Sequence, residues 1–248
     1  VAENMSTGDT SVCAMGRAAG VEIVPVDIGV ATPLHGERIL QRNIRRGTAN
    51  LSQGPAMTRE EAERAVLVGV EVARELCDGG VKLLGTGEMG IGNTTTSSAV
   101  AAVVLNKEPE VMTGRGAGLS SEGLVRKIHA IERGIAVNQP DPSDPIDVLH
   151  KVGGLDLAGL AGVFLGGAMC HVPVLVDGFI SSVAALIAAR ICPTCKDYML
   201  GSHASDEPAS KLVLGELGLE PFLYAGMRLG EGTGAVAVMP LLDMGLAV

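Results

Sequence analysis

A chain of 248 residues with 47% hydrophobic side chains and a positive mean hydropathy has the material for a buried core, as one large α/β domain or two small ones. Its formal charge of −9 argues against nucleic acid, which needs a basic face, and no run of about 18 apolar residues free of polar breaks offers a membrane span. With no Trp, two Tyr and three Phe, the core must rest on aliphatic side chains and Met, with 34 glycines allowing close packing.

Taken in chain order, MSTGDTSVCAMGRAAG (5–20) reads as a first helix and VEIVPVDIGV (21–30), β-branched and apolar, as a buried strand. ERILQRNIRRGTANL (37–51) reads as a solvated loop or short helix. TREEAERAVLVGVEVARELCDGG (58–80) is the clearest helix: Thr58 caps it, Glu61 completes a capping box and a glycine pair stops it. Strand VKLLGTG (81–87) then enters a glycine turn that opens a small-residue helix through TSSAVAAVVL (96–105). A second glycine turn at 114–118 opens another helix reaching 137, and NQPDPSDP (138–145) is a surface loop. Helix 156–172, strand VPVLVDG (172–178), helix 179–192, strand DYMLGSH (197–203) and a capped helix at 206–218 follow, and the chain closes with an apolar helix after MRLGEG. Short apolar strands alternating with helices predict an α/β fold: a mostly parallel sheet covered on both faces, with ligands beyond the carboxyl ends of its strands.

The glycine turns at 85–92, 114–118 and 177–178, together with GSHASDE (201–207), should therefore line one edge. GTGEMGIGNTTT contains G-x-G-x-x-G at Gly85, Gly87 and Gly90, and Glu108 lies near the spacing of the ribose-binding acid of a dinucleotide site. Glu88, however, would aim a carboxylate at the pyrophosphate. Glu231 in LGEGTG repeats the pattern before a second helix. Alone it reads as a surface acid in a flexible turn; two such acids favour a role at a ligand, where burial would raise a carboxyl pKa toward general-base use. Lys127, Arg126 and Arg115 are open to a solvated-face reading, and His203 to a satisfied loop position, since no G-x-S-x-G elbow supports a Ser-His hydrolase. Cys192 and Cys195 in CPTC lack a second pair; two unpaired thiols is the simpler reading, and no metal is expected. Five scattered cysteines without a secretory signal fit a reduced, cytoplasmic protein.

GTGEMGIGNTT, VPVLVDGF, SHAS with the following DE, and MRLGEGTGA closely resemble the nicotinate-nucleotide:dimethylbenzimidazole phosphoribosyltransferase family of cobalamin lower-ligand synthesis. The resemblance runs from about residue 10 to the C-terminus. It implies a Rossmann-like sheet over residues 20–230, with residues 1–19 and 231–248 as remnants of a small, incomplete helical domain, and a homodimer. It further implies transfer of ribose 5-phosphate from nicotinate mononucleotide to a benzimidazole nitrogen with no cofactor. Glu231 would be the general base and Glu88 its companion, with the phosphate and ribose held around Gly90, Gly116, Lys127, Asp177, Gly178 and Ser205. An NAD-dependent oxidoreductase and a non-catalytic nucleotide-binding homologue are the competing readings.

Overall fold

The protein is described here from a computed structural model covering residues 1–116 and 118–248. The segment expected as one first helix is two, α1 (Ala2–Thr7) and α2 (Ser11–Ala19), because Gly8 takes a left-handed conformation and ends the first. The expected strand at 21–30 is only β1 (Val26–Asp27), paired in parallel with β2 (Leu40–Gln41) inside the segment read as loop or helix. Asp27 cuts β1 short: its carboxylate accepts the N–H groups of Gly29 and Val30 and the Asn43 amide, turning the chain out of the ladder.

The clear helix is α3 (Arg59–Asp78), with its capping box formed by Thr58 and Glu61. After β3 (Leu84–Gly85) come α4 (Asn93–Val104), the short α5 (Pro109–Met112) and α6 (Ser121–Asn138). Helix α7 (Pro145–Val152) was not expected behind its Pro-rich loop; Asp144 caps it through the N–H groups of Ile146 and Asp147, and Pro145 suits a first helical position. The chain continues through α8 (Leu155–Met169), β4 (Val174–Val176), α9 (Gly178–Ile191), a 3₁₀ segment at Pro193–Tyr198, β5 (Met199–Gly201), α10 (Ser210–Leu217) and α11 (Thr233–Leu246).

Strands β3, β4 and β5 form a parallel sheet in that order, separate from the β1–β2 pair. The parallel α/β expectation holds, in two pieces. Central β4 is buried along its length. Val174 and Val176 join the main core with α8 and α9, while Leu175 packs with Ala235 and Val238 of α11 on the other side. Period-two alternation thus buries both faces of one strand. Because the three strands run the same way, the segments leaving them (Thr86–Gly92, Asp177–Gly178 and Ser202–Ser205) emerge at one edge. Helix α2 packs against α11, burying Val12, Cys13 and Val236 as a small second core beside that edge.

Behind the sheet, α3 and α8 cross with backbone against backbone. A β-carbon added to Gly162 would lie 2.0 Å from the Val66 carbonyl oxygen, and one on Gly69 would lie 1.9 Å from the Gly159 oxygen. No rotamer change relieves such a clash, so Gly162→Val should lower stability by at least about 1–3 kcal/mol, read as a lower urea midpoint. An unchanged midpoint would show that the helices stand further apart.

Candidate active site

The turn leaving β3 and the turn opening α11 are stacked on one another. The Glu231 N–H donates to the Glu88 carbonyl at 3.0 Å. Gly87 has no room for a side chain: a β-carbon there would lie 2.6 Å from the Gly232 nitrogen. Gly230, Glu231 and Gly232 all have positive φ, 72°, 61° and 91°. Glycine adopts that conformation freely, but Glu231 carries the cost of a left-handed non-glycine residue, about 1–3 kcal/mol. Asp177, at the end of β4, holds the strained turn. Its buried carboxylate accepts the N–H groups of Gly234 at 2.8 Å, Ala235 at 3.1 Å and Gly232 at 3.2 Å, so it anchors the start of α11 from beneath. His203, also buried, shares its Nδ1 with the Ser202 hydroxyl at 3.1 Å and lies 3.8 Å from Asp177. Burial pushes the Asp177 carboxyl up in pKa, against the pull of His203 and of the three N–H donors.

Glu88 and Glu231, 143 positions apart by subtraction of their residue numbers, therefore face one cavity. Its volume is about 890 Å³; besides the two acids, Asn93 and Asp156 line it, with an apolar wall including Ile28, Leu83, Leu155 and Val236. The acids sit in different surroundings. One Glu231 oxygen accepts the Val12 N–H, in the first turn of α2, at 3.2 Å. Glu88 is pushed up to about 7, chiefly by burial and further by the negative charges of Asp156 and Asp177, while hydrogen bonds from Asn93 and Gly90 act the other way. The Asn93 amide bridges the two acids, donating to Glu88 at 2.7 Å and to Asp156 at 2.8 Å. Asn93 and Asp156 escaped the sequence reading. The asparagine at the end of the glycine turn and the aspartate after Gly153–Gly154 were its available signals.

Four of the expected phosphate contacts form a second cluster, reached along the first turn of α4. Lys127 is buried, whereas Arg126 next to it faces outward. The Lys127 ammonium donates to the Thr94 hydroxyl at 2.9 Å and the Gly114 carbonyl at 3.0 Å; burial pushes it down in pKa and Glu207 opposes that. Gly116, at φ 55°, lies against Thr94 and donates its N–H to Glu207 at 3.0 Å. Ser205 accepts the Glu207 N–H, and a β-carbon on Gly178 would reach within 4.0 Å of the Ser205 side chain. Gly90 belongs to the other cluster, its N–H turned to Glu88. Asp177 is spent on α11. Helix α4 itself starts at Gly92 with no side chain capping its first N–H groups, an arrangement open to an anion.

Other candidates fall away. Glu108 is exposed at the far end of α4, which separates it from the glycine turn by roughly 18 Å at 1.5 Å per residue. Arg115 braces its own turn through the Leu119 carbonyl and Ser121 hydroxyl. Cys192 and Cys195 are free thiols, and the described residues contain no cluster of metal-ligating side chains. Among them no helix is long and apolar enough to cross a membrane.

Comparison with known proteins fits this geometry. A family profile described as phosphoribosyltransferase matches residues 1–248. The chain is 52% identical to the nicotinate-nucleotide–dimethylbenzimidazole phosphoribosyltransferase of Acetivibrio thermocellus, across 100% of this chain and 71% of that protein. It belongs to this phosphoribosyltransferase family. The same-named protein of Clostridium acetobutylicum is 50% identical over 98% of the chain and 69% of its own length. The crystal structure of CobT from Thermus thermophilus superimposes with a TM-score of 0.93 at 42% identity, covering 98% of this chain and 73% of that one. The chain is thus a phosphoribosyltransferase, as the family resemblance implied.

The Glu88 carboxyl should titrate with a midpoint near 7 in a ¹³C-resolved pH series, and Asp156→Asn should lower that midpoint. The protonated form is favoured by folding, so the stability Glu88 contributes is intact below pH 4.5 and is lost as pH rises through about 7. Glu88→Gln should remove that dependence, and a Glu88 midpoint near 4.5 would contradict the buried, acid-flanked site.

Proposed function

We propose that the two clusters divide nicotinate mononucleotide between them. The phosphate lies on Gly116, Lys127 and Ser205 beside the start of α4, and the anomeric carbon lies between Glu88 and Glu231. The ligand carries negative charge at its phosphate and positive charge at the pyridinium end of its glycosidic bond. A site with an ammonium and N–H donors at one end and two carboxyls at the other matches that polarity. The apolar wall of the cavity, with Ile28, Leu83 and Val236, suits the flat ring of a dimethylbenzimidazole.

In this reading the C–N bond to nicotinate breaks with its electron pair staying on the pyridine nitrogen. Nicotinate then leaves as a neutral ring with its carboxylate, and positive charge gathers on the ribose. Carboxylate at that point stabilises the developing charge. One benzimidazole nitrogen supplies the pair for the new C–N bond, making the ring's other N–H acidic. Glu231 takes that proton, its carboxylate held by the Val12 N–H at 3.2 Å on one oxygen. Glu88, near half-protonated at neutral pH, stands on the other side of the reacting carbon. Attack opposite the leaving group inverts the anomeric centre and gives the alpha-ribotide used for the cobalamin lower ligand. The observation carrying this reading is the Glu231 N–H to Glu88 carbonyl bond, which ties both acids to one cavity mouth.

A cytoplasmic homodimer accords with the resemblance, and the exposed Phe222, Tyr224 and Leu229 give a second copy apolar surface to cover. Glu231→Gln should cut nicotinate release about 10²–10⁴-fold while nicotinate mononucleotide still binds. Normal turnover by that variant would remove Glu231 as the base.

A further inference from the structure

The anion cradle around Lys127 already holds an anion, and the protein supplies it. Glu207 accepts the Gly116 N–H at 3.0 Å through one carboxylate oxygen. Its other oxygen lies over Gly114 so closely that a β-carbon on that glycine would be 1.8 Å away. Among the described residues Lys127 is the only buried lysine or arginine, and the Glu207 charge acts to keep it protonated. The direct Lys127 partners, the Thr94 hydroxyl and Gly114 carbonyl, are neutral, so Glu207 is the negative charge balancing this cation.

Glu207 is placed to leave. It lies between β5 and α10, outside any helix or strand, and is partly exposed, so its carboxylate can turn into water without crossing the core. A group taking its place must satisfy the same N–H and balance the same ammonium.

We infer that Glu207 is a specificity-determining residue: its carboxylate holds the cradle in the free protein and yields to a phosphate monoester, whose greater charge outcompetes a single carboxylate. The inference rests on the proposed phosphate position. Ligands lacking the phosphate gain nothing from displacing Glu207. A monoester binds with the cost of displacement subtracted, which sets its affinity below what the cradle alone could give.

Calorimetric titration of nicotinate mononucleotide and of its phosphate-free riboside tests this. Glu207→Gln removes the competing charge and keeps an amide oxygen for Gly116, so the mononucleotide Kd should fall about tenfold while the riboside Kd stays put. Glu207→Ala should likewise lower the mononucleotide Kd and leave the riboside Kd unchanged, and melting curves verify that each variant is folded. A mononucleotide Kd that is unchanged or raised in the folded variants overturns the inference, as does an equal shift for the riboside. Lys127→Met separates the two layers. If it weakens the mononucleotide alone, the phosphate position stands and the Glu207 variants decide. If it leaves the mononucleotide untouched, the phosphate lies elsewhere and the inference falls with that position.

Discussion

Gly87 approaches the Glu231–Gly232 peptide so closely that backbone meets backbone, and the Glu231 N–H to Glu88 carbonyl bond closes the contact. The rest of the site depends on that approach. It brings a turn from the sheet and a turn from the C-terminal helix into register, and it leaves both glutamate side chains facing the same cavity. Asp177 makes the arrangement hold. A buried carboxylate with three N–H donors is costly to break, because removing it leaves those donors unsatisfied at a helix start. The strain of Glu231 in a left-handed conformation is thus offset by a cap on the neighbouring residues.

Helix α4 links the acidic and basic halves. Asn93 at its first position ties Glu88 to Asp156, and Thr94 at its second ties Lys127 to the Gly114–Gly116 turn. Two opposite electrostatic environments are thereby set one residue apart on a rigid element. Positioning of this kind is what a transfer between two nucleophiles demands, since the ribose must stay fixed while its substituent changes. Asp156 contributes by remaining close enough to Glu88 to keep its proton available near neutral pH.

The sequence revealed most where local rules are strong. The capping box of α3 and the continuous apolar run of β4 were legible because each is decided by neighbouring residues. The two-piece sheet was not, since β1 ends through a carboxylate that recruits Asn43 from 16 residues away. Helix α7 was hidden behind a Pro-rich run whose last member, Pro145, favours it at its first position. Gly-Glu-Gly marked both acids, but convergence of Glu88 and Glu231 is a tertiary fact that the sequence carries only through resemblance to its family. Asp177 entered as a ligand contact only through the family resemblance, and in the fold its carboxylate accepts the first N–H groups of α11. Glu207 was legible only as the last residue of the GSHASDE segment, with no role of its own; its contact depends on a turn 91 residues away.

The most direct test of the account is a crystal structure with nicotinate mononucleotide and 5,6-dimethylbenzimidazole bound to a Glu231→Gln variant. The phosphate should replace the Glu207 carboxylate on Gly116, and the anomeric carbon should lie between residues 88 and 231 with a ring nitrogen about 3–3.5 Å from it. A phosphate seated elsewhere, or an anomeric carbon remote from both positions, would contradict the claim that the two stacked turns build one reaction centre.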